Sequence, residues 1–149
     1  MTVEAVSPNE DQSWLDRTLK RNLRIDLEVA LYILLLCVAV FSRFYDLETR
    51  VMSHDESLHT QFSWYLAEGR GFSHDPLMHG TFQMHVVSLS YFLFGVSDAS
   101  ARIPAALFGV IAVAFVILFR KWLGRWGTLA ATAMMVFSPY MLYYDRYVR

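Results

Sequence analysis

Charge is what this chain has least of. Asp, Glu, Lys and Arg make up 18% of its 149 residues, against roughly a quarter in an ordinary soluble domain. The net charge of −1 supplies no basic field, which argues against nucleic acid as a partner. A single cysteine, Cys37, excludes an intramolecular disulfide and any cysteine-built metal site. No signal peptide is expected, because the first apolar run starts late and no small-residue cleavage site follows it. What the chain has in excess is apolar: 55% hydrophobic and 15% aromatic residues, gathered in long runs. That composition predicts an all-α integral membrane protein.

In chain order, Met1–Ser13 is polar, carries Glu4, Glu10 and Asp11, and reads as a disordered cytoplasmic tail. Trp14, Leu15, Thr18, Leu19 and Leu23 then recur at helical spacing against Arg17, Lys20, Arg21 and Arg24. They form either an interfacial amphipathic helix or an extension of the first span. Leu27–Phe44 is that span, about 27 Å long as a helix and enough to cross a hydrocarbon core. The basic residues before it place the amino terminus in the cytoplasm. Two further spans are expected over residues 103–119, with Pro104 near the first turn, and over 128–144, kinked at Pro139. Arg120, Lys121 and Arg125 between them mark a cytoplasmic connection.

Thr81–Phe94, about 21 Å long as a helix, is too short to cross and is expected to lie in the interface. Parity follows from this choice. With three crossings, residues 45–102 form an outside loop, and Asp145 and Arg146 emerge on that same side. With a fourth, the basic connection would face outward, against the positive-inside rule. Tyr140, Tyr143, Tyr144 and Tyr147 would make an interfacial aromatic belt.

The outside loop holds the chemistry. Between Ser53 and Gly80 lie Asp55, Glu56, Asp75 and four of the five histidines, His54, His59, His74 and His79. Ionisable groups clustered at a membrane surface point to a functional site. Ser53 with Glu56 fits an S-x-x-E capping box, and helix capping alone would account for the acidic pair. The functional reading makes Asp55, beside Glu56, a general base or metal ligand, its carboxyl desolvated by neighbouring helices. No H-E-x-x-H or other tight ligand spacing is present, so the histidines are read as surface residues without a role or as contacts to phosphate or the carboxylates, ahead of a zinc or iron site. His85, on an apolar helix, is expected to be buried and satisfied. Arg146 and Arg149 are the candidate partners of a phosphate or diphosphate, or else ordinary flanking anchors.

Four elements in order, HDE-S, HDP-x-M-H-G, FG-x-SD-x-SARIP-x-ALFG and SP-x-x-x-YYDRYVR, resemble the polyprenyl-phosphate-dependent membrane glycosyltransferases of the GT-C superfamily. That superfamily includes the protein O-mannosyltransferases, the lipid A aminoarabinose transferase and the oligosaccharyltransferase catalytic subunits. The likeness is strongest to a prokaryotic flippase-associated branch and covers the chain from about Asp26 onward.

The resemblance implies transfer of a sugar from a polyprenyl-phosphate carrier to an acceptor protein or glycolipid outside the cytoplasm, with inversion. It implies that Asp55, Glu56 and Asp145 are catalytic and that His54, His74, Asp75, His79, Arg146 and Arg149 bind substrate. Asp55 and Asp145 would hold a divalent ion, Mg2+ or Mn2+, should the reaction use one. Relatives of that kind carry many more spans. The chain is therefore expected to be an amino-terminal part, inactive alone, or else a non-catalytic small subunit packing in a larger membrane complex. A proton-relay or transporter segment is disfavoured, because the expected last two spans carry no ionisable group in their interiors.

Overall fold

The computed structural model describes residues 27–72 and 80–148. The expected tail and amphipathic helix before Leu27, and His74, Asp75, His79 and Arg149, lie outside the described residues. Within them the chain is helical throughout and contains no strand: α1 (Leu27–Phe44), α2 (His54–Ala67), α3 (Thr81–Phe94), α4 (Asp98–Ile117), α5 (Arg120–Phe137) and α6 (Pro139–Tyr144).

α1, α4 and α5 form one bundle. Ala39, Val113 and Val136, one from each helix, close its centre, with Leu35, Leu36, Val38 and Met135 packed around them. Ion pairs fix the two ends. Glu28 at the start of α1 binds the guanidinium of Arg120 at the start of α5 and lies 3.5 Å from Arg125 Nε. Arg43 at the end of α1 donates through Nη2 to Met135 O near the end of α5, at 3.1 Å. So α1 and α5 run parallel, with α4 antiparallel between them.

Two of these helices, α1 and α4, are long and apolar enough to cross a membrane. Only 22% of the α1 window and 39% of the α4 window is buried. Phe41, Phe92, Phe115 and Met134 are among the large apolar side chains turned outward.

The element boundaries correct the sequence reading at the start of α4 and at the start of α5, which begins at Arg120 rather than at residue 128. α4 starts at Asp98 rather than at residue 103, because Ser97 caps it. The Ser97 hydroxyl accepts from Ser100 N–H at 3.1 Å, and the Ser100 hydroxyl accepts from Ser97 N–H at 2.9 Å. Pro104 therefore falls inside the helix and deprives the Ser100 carbonyl of its i+4 donor. The Ser90 hydroxyl of α3 supplies the missing bond, 2.6 Å from Ser100 O.

The kink expected at Pro139 is present, as a break between two helices within residues 128–144. The backbone turns extended at Ser138 (φ −63°, ψ 119°), which then caps a new helix with Pro139 in its first turn. Pro139 leaves Met135 O without its helical donor, and Arg43 fills that place. α5 also breaks near its start at Gly124, where φ 68° and ψ 175° call for glycine.

α2 packs on α3, and α3 on α4, at the end of the bundle that carries Arg43; α2 reaches α4 through the Glu56–Arg102 ion pair. α2 opens with the expected capping box: Glu56 N–H donates to Ser53 Oγ at 3.4 Å, and Ser53 N–H to Glu56 Oε2 at 3.1 Å. It closes at Gly69 in a Schellman arrangement, with Gly69 N–H on Leu66 O (3.0 Å) and Arg70 N–H on Tyr65 O (3.1 Å).

The buried face of α2 is not the apolar one that helical spacing gives Leu58, Phe62, Tyr65 and Leu66, which are only half-buried. It is Glu56, His59, Thr60 and Ser63. Thr60 and Ser63 answer their own polarity by donating to the carbonyls one turn back, at 2.8 and 2.7 Å. α3 buries Met84, Val87, Ser88, Ser90 and Tyr91 and leaves Phe82, Leu89 and Leu93 outside. Val87, Tyr91, Ala101 and Val148 make the second core cluster. Burial pushes the Tyr91 phenol up to about 12, with the nearby Asp98 charge adding to the shift.

Candidate active site

The end of the bundle that carries Arg43 gathers three acids, and each sits in a different environment. Glu56 is the hub. Its side chain is fully buried. Oε1 accepts from Arg50 Nη2 (2.8 Å), Arg102 Nε (3.2 Å) and Val148 N–H (3.2 Å). Oε2 accepts from Ser53 N–H (3.1 Å) and Arg102 Nη2 (3.4 Å). Arg102 is itself buried and donates its remaining Nη1 to Leu47 O at 2.6 Å. A carboxylate with two guanidiniums and two backbone N–H groups around it is compensated on every side, which is what a buried ion pair requires. Glu56 therefore locks together the loop after α1, the start of α2, the second turn of α4 and the segment after α6. Capping is only part of its role.

Asp55, expected to be the desolvated acid, is exposed on the first turn of α2 and makes no hydrogen bond or ion pair with a described residue. One helical step separates it from Glu56, and that step turns it outward. His54 is likewise exposed. His59 is buried on the inner face of α2. His85, expected to be buried, is exposed and sits 2.7 Å from Thr81 O through Nδ1.

Asp145 occupies the environment anticipated for Asp55. Its side chain is 11% exposed, and Oδ2 accepts from Arg43 Nε at 2.8 Å. Burial pushes its carboxyl above the ordinary aspartate value, partly offset by the Arg43 guanidinium. Asp145 faces a cavity of about 390 Å3 between α3, α4 and the segment 144–148. Phe82, Val86, Phe108 and Ala112 make the cavity apolar, while Gln83 and Tyr144 supply polar atoms beside Asp145. A carboxyl of raised proton affinity at the wall of an apolar cavity is suited to taking up a proton.

Asp145 and the start of α2 are joined by a 2.6 Å hydrogen bond between the Ser53 and Tyr147 hydroxyls. Asp55 and Asp145 thus lie two residues to either side of one contact.

Arg146, expected to meet phosphate, is anchored to the backbone through one nitrogen of its guanidinium. Its Nη2 donates to Tyr45 O at 2.7 Å and Asp46 O at 2.6 Å. It borders a second cavity of about 430 Å3, with Arg50, Tyr45 and Tyr143 around it. Arg50 stacks on the rings of Tyr143 and Tyr147, 5.0 and 5.2 Å from their centroids.

Among the described residues no group of three or more His, Cys, Asp and Glu is placed to hold a metal ion. Asp145 shares its carboxylate with Arg43 at 2.8 Å, and no step is assigned to a metal.

Sequence reasoning missed Arg43, Arg102 and Ser90. The signal for Arg43 and Ser90 lay in the prolines, each of which orphans a carbonyl four residues earlier and so calls for a donor from elsewhere. No protein-family model, curated protein or solved structure matches this chain.

Proposed function

We propose that this chain is part of a membrane glycosyltransferase that moves a sugar from a polyprenyl-phosphate carrier to an acceptor outside the cytoplasm. The observation that carries the reading is Asp145: a carboxylate of raised proton affinity, braced by a buried arginine at the wall of an apolar-lined cavity. Asp55 stands at the same end of the bundle, open to solvent. In this reading Asp145 takes the proton from the acceptor as it attacks the anomeric carbon, and Asp55 orients the incoming group from the mouth. The carrier phosphate departs towards the cationic side of the segment, where Arg50 and Arg146 lie.

Membrane placement is supported by α1 and α4, whose apolar surfaces are turned mostly outward, the reverse of a soluble core helix. α5 is assigned as the third crossing, with the Glu28, Arg120 and Arg125 end in the cytoplasm, in accord with the charge rule. Three crossings do not enclose a lipid carrier, so further membrane segments of the same protein or of a partner subunit complete that site.

The test is sugar transfer from a synthetic polyprenyl-phosphate sugar in membranes containing the whole assembly. Asp145→Asn is expected to lower kcat by about 10²–10⁴-fold, the usual contribution of a positioned acid–base group. Full activity of both Asp145→Asn and Asp55→Asn would reject the enzyme reading in favour of a non-catalytic membrane subunit.

A further inference from the structure

The Asp145 carboxylate rests where helix α4 has no side chain. Gly109 is buried in the middle of α4. A Cβ placed on it would stand 2.5 Å from Asp145 Cγ, 2.6 Å from Cβ and 2.7 Å from Oδ2. Asp145 has little room to withdraw. Its Oδ2 is tied to Arg43 Nε at 2.8 Å, Arg43 is fully buried, and Arg43 Nη2 is in turn fixed on Met135 O at 3.1 Å. The Asp145 N–H is held at 2.8 Å by Met141 O. Glycine in a helix interior is destabilising relative to alanine through backbone entropy. Gly109 lies within a regular helix and serves no turn, so its value lies in the space it leaves. Gly127 of α5 is a natural contrast: a Cβ there would meet only Leu123 Cβ, at 3.4 Å.

We propose that Gly109 is a positioning residue for Asp145, its missing side chain being the seat that sets how deep the carboxylate stands in the cavity and keeps it on Arg43. The seat itself does not depend on the transferase reading; its bearing on catalysis does.

The test has two arms. In the first, thermal unfolding of the purified full chain in detergent measures the coupling between Arg43 and Asp145, from Arg43→Met, Asp145→Asn and the double variant. Coupling is expected in the wild-type and Gly127→Ala backgrounds and is expected to vanish with Gly109→Ala. Gly109→Ala should lower Tm in the wild type and raise it in an Asp145→Gly background, where the obstructing Cβ is gone. Should Gly109→Ala fail to fold, recovery in the double variant with Asp145→Gly supports the seat. Coupling that survives Gly109→Ala, or an equal Tm loss in both backgrounds, overturns it.

In the second arm, transfer by the whole assembly is expected to fall roughly a hundredfold in kcat with KM little changed, the penalty of a reacting group displaced by about 1 Å. Coupling lost with kcat unchanged would overturn the positioning role. Coupling lost where even the wild type transfers no sugar would keep the seat and remove the transferase reading.

Discussion

At the scale of single residues, the adjacent acids Asp55 and Glu56 have opposite fates. A helix turn of about 100° between neighbours puts one in solvent and the other in the core. Glu56→Ala is expected to destabilise the chain by about 3–5 kcal/mol, because it strands the buried guanidinium of Arg102. Asp55→Asn should stay within about 0.5 kcal/mol of wild type, as an exposed substitution. Reversible denaturation in mixed detergent would measure both, and a Glu56→Ala loss no greater than that of Asp55→Asn would contradict the hub assignment.

For Asp145 the sign runs the other way from a typical paired carboxylate. Its folded-state pKa is raised, with burial outweighing Arg43. Ionised Asp145 thus weakens the fold above that pKa, and stability recovers as pH falls through it towards the unfolded value. Activity needing the ionised form declines on acidification from a higher pH than an ordinary aspartate would give. Arg43→Met removes the lowering influence and is expected to move the acid limb of the kcat–pH profile to higher pH. An unmoved or lowered limb would show that Asp145 is not the titrating group.

At the scale of elements, much was legible. The α1, α2 and α3 helices stand where apolar runs and a capping box placed them, since those signals are local. α4 was read too short, because Ser97 and Ser100 form a cap with a serine in place of the usual glutamate. The polar inner face of α2 was not legible. Hydrophobic periodicity cannot announce a helix that buries a glutamate, a histidine and two hydroxyls: Glu56 finds Arg102 and Val148 46 and 92 positions away, and the Thr60 and Ser63 hydroxyls turn to carbonyls one turn back.

The α3–α4 joint carries its own prediction. Ser90→Ala bares the Ser100 carbonyl and is expected to cost about 1–3 kcal/mol. In a Pro104→Ala background the helix regains its own N–H donor, and the Ser90→Ala cost should shrink towards zero. A double-mutant cycle on thermal stability would check this, and an equal cost in both backgrounds would mean that Ser90 does not stand in for the missing donor.

At the scale of the whole molecule, ion pairs sort by end. Glu28 with Arg120 and Arg125 closes one end; Arg43 with Asp145, and Glu56 with Arg50 and Arg102, close the other. In a membrane this arrangement puts Ser57, Val96 and Tyr140 on one side and Trp122 on the opposite one. Each is exposed and suited to replacement by cysteine in a Cys37→Ser background. A membrane-impermeant thiol reagent added to intact cells should label the first three and spare the fourth. Labelling of Trp122→Cys with protection of Val96→Cys and Tyr140→Cys would put the acids on the cytoplasmic side and rule out transfer to an external acceptor.

The two proline-orphaned carbonyls have a consequence for how such a chain is made. Ser100 O and Met135 O are each satisfied by a side chain that precedes them in sequence, Ser90 and Arg43. Synthesis therefore delivers each donor before the gap it fills. A helix entering hydrocarbon with a bare carbonyl is penalised until a neighbour answers it, so in a membrane α4 and α5 would become fully compatible with lipid only once docked on α3 and α1. Wrongly ordered packings keep the penalty, which gives the growing chain a built-in check on its assembly, written into two prolines.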